Sequence, residues 1–76
     1  MIKCTLFHTE GCHLCEEALA MLIQLLPEAE IELIDIVDDE ETMTTYQYRI
    51  PVIKKIETGH ELGWPFSQQQ LQEFIA

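Results

Sequence analysis

Leu6-Phe7-His8-Thr9-Glu10-Gly11-Cys12-His13-Leu14-Cys15-Glu16-Glu17 decides how this chain is read. A β-type apolar run, Ile2 to Phe7, stops at a polar break from His8 to Gly11, and a C-x-x-C pair then opens a segment of helical period. Leu14, Ala18, Met21/Leu22 and Leu25 carry that period, predicting a helix from Cys12 to Leu26 that Pro27 ends. Glu16 and Glu17 fall in its first turn, where the helix dipole favours anions.

A thiolate at a helix N-terminus meets unpaired backbone N–H groups and the positive end of the dipole, which lower its pKa below the free value of ~8.5. Cys12 is therefore the expected nucleophile. Cys15 returns to the same side one turn deeper, within reach to attack a mixed disulfide and resolve it. His13 adds positive character when protonated, whereas Glu10, Glu16 and Glu17 crowd Cys12 with negative charge and oppose the dipole. A moderately reducing pair is expected, rather than an oxidase. Two cysteines at this spacing are also compatible with plain apolar packing; their place inside a βαβ unit, in a chain that reads as intracellular, favours thiol–disulfide chemistry.

Outward from this stretch, Ile31 to Val37 alternates and then runs apolar, a second strand. Asp38 to Glu41 reads D-x-x-E, a helix start, with Met43 and Tyr46 on one face of a short helix. Pro51 to Ile56 is a third strand, and a turn at Glu57 to His60 leads into Glu61 to Trp64 as a hairpin. Ser67 to Gln70 is an S-x-x-Q capping box opening a helix striped by Leu71, Phe74 and Ile75. The order is β-α-β-α-β-β-α, an α/β chain. A right-handed crossover makes strands one and two parallel, strand one is central, and the hairpin extends a four-stranded mixed sheet antiparallel.

The chain has 76 residues, 47% of them hydrophobic, with no repeat or linker, and reads as one domain spanning 1–76. At this length folding hides only ~60% of the unfolded surface, which leaves no room for a second lobe or a large cofactor pocket. Four Lys and Arg face 14 acids for a net charge of −10, which excludes nucleic acid and an anionic membrane surface as partners. Met1 to Phe7, interrupted by Lys3 and Thr5, does not read as a secretory signal, and the longest apolar run, Ala18 to Ile23, is too short to cross a bilayer. A cytoplasmic monomer is expected. Three cysteines cannot all pair as in small secreted domains, so reactive or metal-binding cysteine is the better reading.

Gly11-Cys12-His13-Leu14-Cys15-Glu16, Arg49-Ile50-Pro51-Val52 and Gly63-Trp64-Pro65-Phe66, together spanning nearly the whole chain, resemble a small bacterial glutaredoxin-like protein of the thioredoxin superfamily. The resemblance implies the thioredoxin-like fold with helices on both faces of the sheet, and a cis peptide bond before Pro51. It also implies that the Ile50 backbone pairs with substrate beside the C-x-x-C, and that no cofactor is bound, with glutathione or a thioredoxin-reductase-like enzyme as electron donor. A disulfide-bearing protein or a small thiol is the implied partner. The sequence departs from glutathione users at Thr9, where the family has lysine, and at Pro65 and Phe66, where it has an acidic pair; His13-Leu14 replaces Pro-Tyr. Arg49 is the cation left near the site, free to hold a carboxylate of substrate or to pair with Glu10 or an acid of the second helix. The negative charge predicts slow approach by anionic partners and fast approach by basic ones.

Cys4 reads as a core residue. His8 is a strand-end polar residue that could relay protons or ligate metal, and His60 a solvated turn residue. Trp64 and Phe66 offer either an apolar substrate rim or a staple for the last helix. Two rival functions stay open. Cys12 and Cys15 could bind a metal or iron–sulfur cluster, though zinc needs four ligands and no second C-x-x-C exists. Or the domain is a non-catalytic interaction module. Asp38 to Glu41 lacks the spaced ligands and central glycine of a calcium loop.

Overall fold

The computed structural model describes residues 1–76. Strands β1 (Cys4–His8), β2 (Ile31–Asp35), β3 (Val52–Lys55) and β4 (Glu61–Gly63) form one sheet in the order β2-β1-β3-β4, with helices α1 (His13–Leu22), α2 (Glu40–Tyr46) and α3 (Gln68–Ile75) between and after them. β1 pairs parallel with β2 and antiparallel with β3, and β3 pairs antiparallel with β4, so the expected mixed sheet and central first strand are the observed ones.

Side-chain alternation divides the core. Cys4 and Leu6 of β1, Ile31 of β2 and Ile53 of β3 face Ala18 and Leu22 of α1 and Leu71 of α3. Phe7 and Val52 point the other way, onto Tyr46 of α2 and onto Ile36 just after β2, and the Phe7 and Tyr46 rings stack 4.2 Å apart. Helices thus lie on both faces. Leu22 and Leu71 are fully buried, and truncating either to alanine is expected to cost ~2–5 kcal/mol.

Several boundaries differ from the sequence expectation, each for a local reason. β1 includes His8 and begins at Cys4, because its ladder follows β2 from Ile31 to Asp35. β2 ends at Asp35, whose carboxylate accepts the Val37 N–H at 3.2 Å and turns Ile36–Asp38 into a 3-10 helix. Asp38 is consumed in that turn, so the cap of α2 is Asp39, accepting from the Thr42 N–H at 3.1 Å. α1 stops at Leu22, and its buried stripe is Cys15, Ala18 and Leu22, which leaves Leu14 43% exposed. The Ser67–Gln70 capping box of α3 forms in full. Phe66, just before it, is buried in the same cluster as Leu71, so it staples the helix start.

Candidate active site

Gly11 holds φ at 81°, a left-handed value that favours glycine, and turns the chain out of β1 so that Cys12 arrives extended at the start of α1. The Cys12 N–H reaches the Thr9 carbonyl at 3.3 Å and the Glu16 N–H the Cys12 carbonyl at 3.2 Å. The cap itself is sulfur: the Cys15 N–H donates to Cys12 Sγ at 3.1 Å. Cys12 and Cys15 form a disulfide, with Cα atoms 5.2 Å apart. Cys12 is half-buried, whereas Cys15 is only 4% exposed.

The residues named with this pair are dispersed around it. His13 is turned outward along α1 toward Glu17, 3.6 Å away, with most of its side chain in solvent. Glu10 and Glu16 are exposed, and Glu16 lines a groove of about 70 Å³ beside the disulfide with His8, Leu19 and Leu33. The bond before Pro51 is cis, and so is Trp64–Pro65, which the sequence reading did not anticipate. Because Phe7 pairs with Val52, Pro51 falls one step further along, beside the end of β1 from which the cysteine turn departs. The Trp64 N–H donates to the Pro51 carbonyl at 3.2 Å, and Ile50 packs half-buried on the α2 core. The Trp64 ring stands edge-on to Phe66 at 5.1 Å and packs onto the α1–α3 core. No cluster of three or more His, Cys, Asp and Glu side chains is arranged to hold a metal ion.

Arg49 differs most from expectation. Its partner is neither Glu10 nor an acid of α2 but Glu61 on β4, at 2.8 Å, and its guanidinium lies 5.1 Å over the Tyr46 ring. The Tyr46 hydroxyl donates to the other Glu61 oxygen, while the Tyr46 carbonyl accepts the Arg49 and Ile50 N–H groups at 2.8 and 3.1 Å. The Tyr46 hydrogen bond, and after it Arg49, holds the Glu61 carboxyl below its ordinary range; burial, then Glu61, pushes the Tyr46 phenol up. Sequence reading missed Glu61, because an acid in a hairpin strand carries no local signal of its partners. At the opposite end of the sheet, Cys4 is fully buried and burial pushes its thiol up to about 11. A larger cavity of about 460 Å³ opens at that far end, among Met1, Ile2, Ile56 and Ile75.

A four-stranded mixed sheet with helices on both faces and a C-x-x-C disulfide capping the first helix define a thioredoxin-fold protein with a redox-type site. Residues 3–76 match the Glutaredoxin-like domain (DUF836) family, and the chain belongs to it. The X-ray structure of protein XcR50 from X. campestris is similar, at TM-score 0.83 and 33% identity over 95% of this chain and 93% of that one. So is the solution structure of protein Ne2328 from Nitrosomonas europaea, at TM-score 0.79 and 30% identity over 97% and 91%. The glutaredoxin grx-1 from Archaeoglobus fulgidus shares the fold, at TM-score 0.67 and 22% identity over 99% and 87%. No curated protein sequence matches the chain. No helix is long and apolar enough to cross a membrane.

Proposed function

We propose that this protein is a thiol–disulfide oxidoreductase. The observation that carries the reading is the Cys12–Cys15 disulfide at the start of α1, with the outer sulfur accepting a backbone N–H and the inner one buried. In the reduced protein the Cys12 thiolate attacks a substrate disulfide, forming a mixed disulfide and expelling one substrate thiolate, which takes up a proton. The Cys15 thiolate then attacks Cys12 Sγ, closes the protein disulfide and expels the second thiolate. Two electrons and two protons pass from the dithiol to the substrate. The N–H that Cys15 donates to Cys12 Sγ stabilises charge on that sulfur in the attacking state.

The disulfide is returned to the dithiol by two equivalents of a small thiol such as glutathione, or by a dithiol reductase. Pro51 and the Ile50 backbone, beside the cysteine turn, supply the docking edge for the substrate chain, and Trp64 lies next to Pro51 through its N–H. Arg49 serves that edge by anchoring the loop through Glu61.

The test is a redox titration in glutathione and dithiothreitol buffers, with thiols trapped by alkylation and counted by mass spectrometry. A two-electron transition of Cys12 and Cys15 between about −180 and −280 mV is expected. Absence of an intramolecular disulfide at every poise would refute the exchange mechanism.

A further inference from the structure

The groove beside the disulfide lies on the β2 side of β1, away from the Pro51 loop on the β3 side. Its floor is Leu6 and Leu19, its outer lip is Leu33, 49% exposed on the edge strand, and Glu16 stands at its mouth next to Cys12 and Cys15. Asp35, on the same face of β2 as Leu33, pairs in register with His8 at that mouth. At about 70 Å³ the groove is far below the ~300 Å³ of a small-molecule pocket, so it holds one side-chain stem and not a tripeptide.

The charges are segregated along the sheet. Lys54 and Lys55 lie opposite Thr5 and Cys4, and Lys3 precedes them, so three of the four cations sit at the far end. Arg49, the fourth, is engaged by Glu61. The disulfide end therefore offers an apolar slot with the Glu16 carboxylate at its mouth and no unpaired Lys or Arg.

We infer that this groove is a specificity subsite for a long cationic side chain, lysine or arginine, flanking the reactive cysteine of a protein substrate: the stem lies on Leu6, Leu19 and Leu33, and the charge meets Glu16. The inference rests on the exchange reading and names the class of disulfide it acts on. Lysine and arginine suit the slot because their stems bury on apolar surface while the head stays at the wet rim.

The experiment measures oxidation of the reduced full chain by three small disulfides at about pH 8. Cystamine is the cation, hydroxyethyl disulfide the neutral control and dithiodipropionate the anion; each reaction converts the protein dithiol to its disulfide and the probe to two thiols. Every rate is divided by that of the same probe with dithiothreitol, which removes intrinsic leaving-group differences. The normalised cystamine-to-dithiodipropionate ratio is expected to exceed about tenfold at low ionic strength. Glu16→Gln should lower it about threefold, and Leu33→Arg, a cation at the half-exposed lip, should lower it further. Because the ratio is taken within each variant, a change in general thiol reactivity cancels. A cystamine-to-dithiodipropionate ratio near one while the neutral probe reacts, or a ratio that survives Glu16→Gln intact, overturns the subsite and leaves the exchange reading standing. If none of the three probes oxidises the dithiol, the exchange reading itself fails, and the subsite with it.

Discussion

β1 has a cysteine at each approach, Cys4 as its first residue and Cys12 four residues beyond its last, and the two ends of the sheet treat the same thiol in opposite ways. At the near end Cys12 is half-buried, and its sulfur accepts a backbone N–H and is bonded to Cys15. At the far end Cys4 is sealed among Leu6, Ile31 and Ile53, and burial pushes its thiol up to about 11 although Lys54 and Lys55 lie on the neighbouring strand. Desolvation is what raises it: the sulfur is shut away from water, and the Lys55 head is turned to the Ala76 carbonyl at 3.0 Å. Solvent access and N–H donors, rather than residue type, thus separate the two thiols, and the proposed exchange reaction uses the one that has both.

The largest effect should come from exchanging one thiol at each end. Cys12→Ser removes the nucleophile of the proposed exchange reaction but keeps an N-cap, since a serine hydroxyl accepts the same N–H. Disulfide reduction should fall to the uncatalysed background while the melting temperature stays at that of the reduced wild type. Cys4→Ala should retain turnover. A Cys12→Ser protein that still turned over, or a Cys4→Ala protein that folded normally yet did not, would invert the comparison.

Alkaline pH sharpens it at the far end. Cys4 has a folded pKa of about 11 against an unfolded value of 9.0, so its contribution is complete below 9.0 and is lost as pH rises through about 11. On the order of 2 kcal/mol of stability should disappear across that interval. Denaturant unfolding of reduced wild type and Cys4→Ala at stepped pH checks this, with a flatter profile expected for the variant. The Tyr46 phenol, also raised from 10.0, adds a loss that begins higher, and Tyr46→Phe isolates it. Parallel profiles for wild type and Cys4→Ala would mean that the thiol is not sealed.

How much of this was legible in the sequence follows from the reach of each interaction. The cysteine turn could be read because its contacts span at most four residues: Thr9 to Cys12, Cys12 to Cys15 and Cys12 to Glu16. The α3 capping box is equally local, and strand order follows from the crossover and the hairpin. Leu14 was misread because both Leu14 and Cys15 are one turn before Ala18, at i−4 and i−3, and it is Cys15 that continues the buried Ala18–Leu22 stripe. Glu61 was invisible because its partners lie 12 and 15 residues away and meet it only across the folded sheet. Leu33 and Leu19 likewise become a groove only once β2 pairs with β1 and α1 packs over the sheet.

That difference in reach carries the smallest prediction. Glu61 ties Tyr46 and Arg49 to β4, and those two flank the turn that delivers Ile50 and Pro51; nothing comparable crosses to the cysteine turn. Glu61→Gln keeps an acceptor but removes the charge from a partly exposed pair, so about 1 kcal/mol of stability should be lost at neutral pH. Hydrogen exchange of the Arg49 and Ile50 amides should accelerate while that of Cys15 and Glu16 stays unchanged. The folded Glu61 carboxyl lies below its ordinary range, through Tyr46 first and Arg49 second, so its contribution is present above the unfolded glutamate value of ~4.3 and is lost as pH falls through the lower folded one. The variant should therefore approach wild type in stability as the solution is acidified. Asp39, held low by Thr42, keeps its own acid dependence in both proteins and cancels in the difference. Equal acceleration at all four amides would show that the two segments are coupled, and that the cysteine turn depends on the same carboxylate as the proline loop.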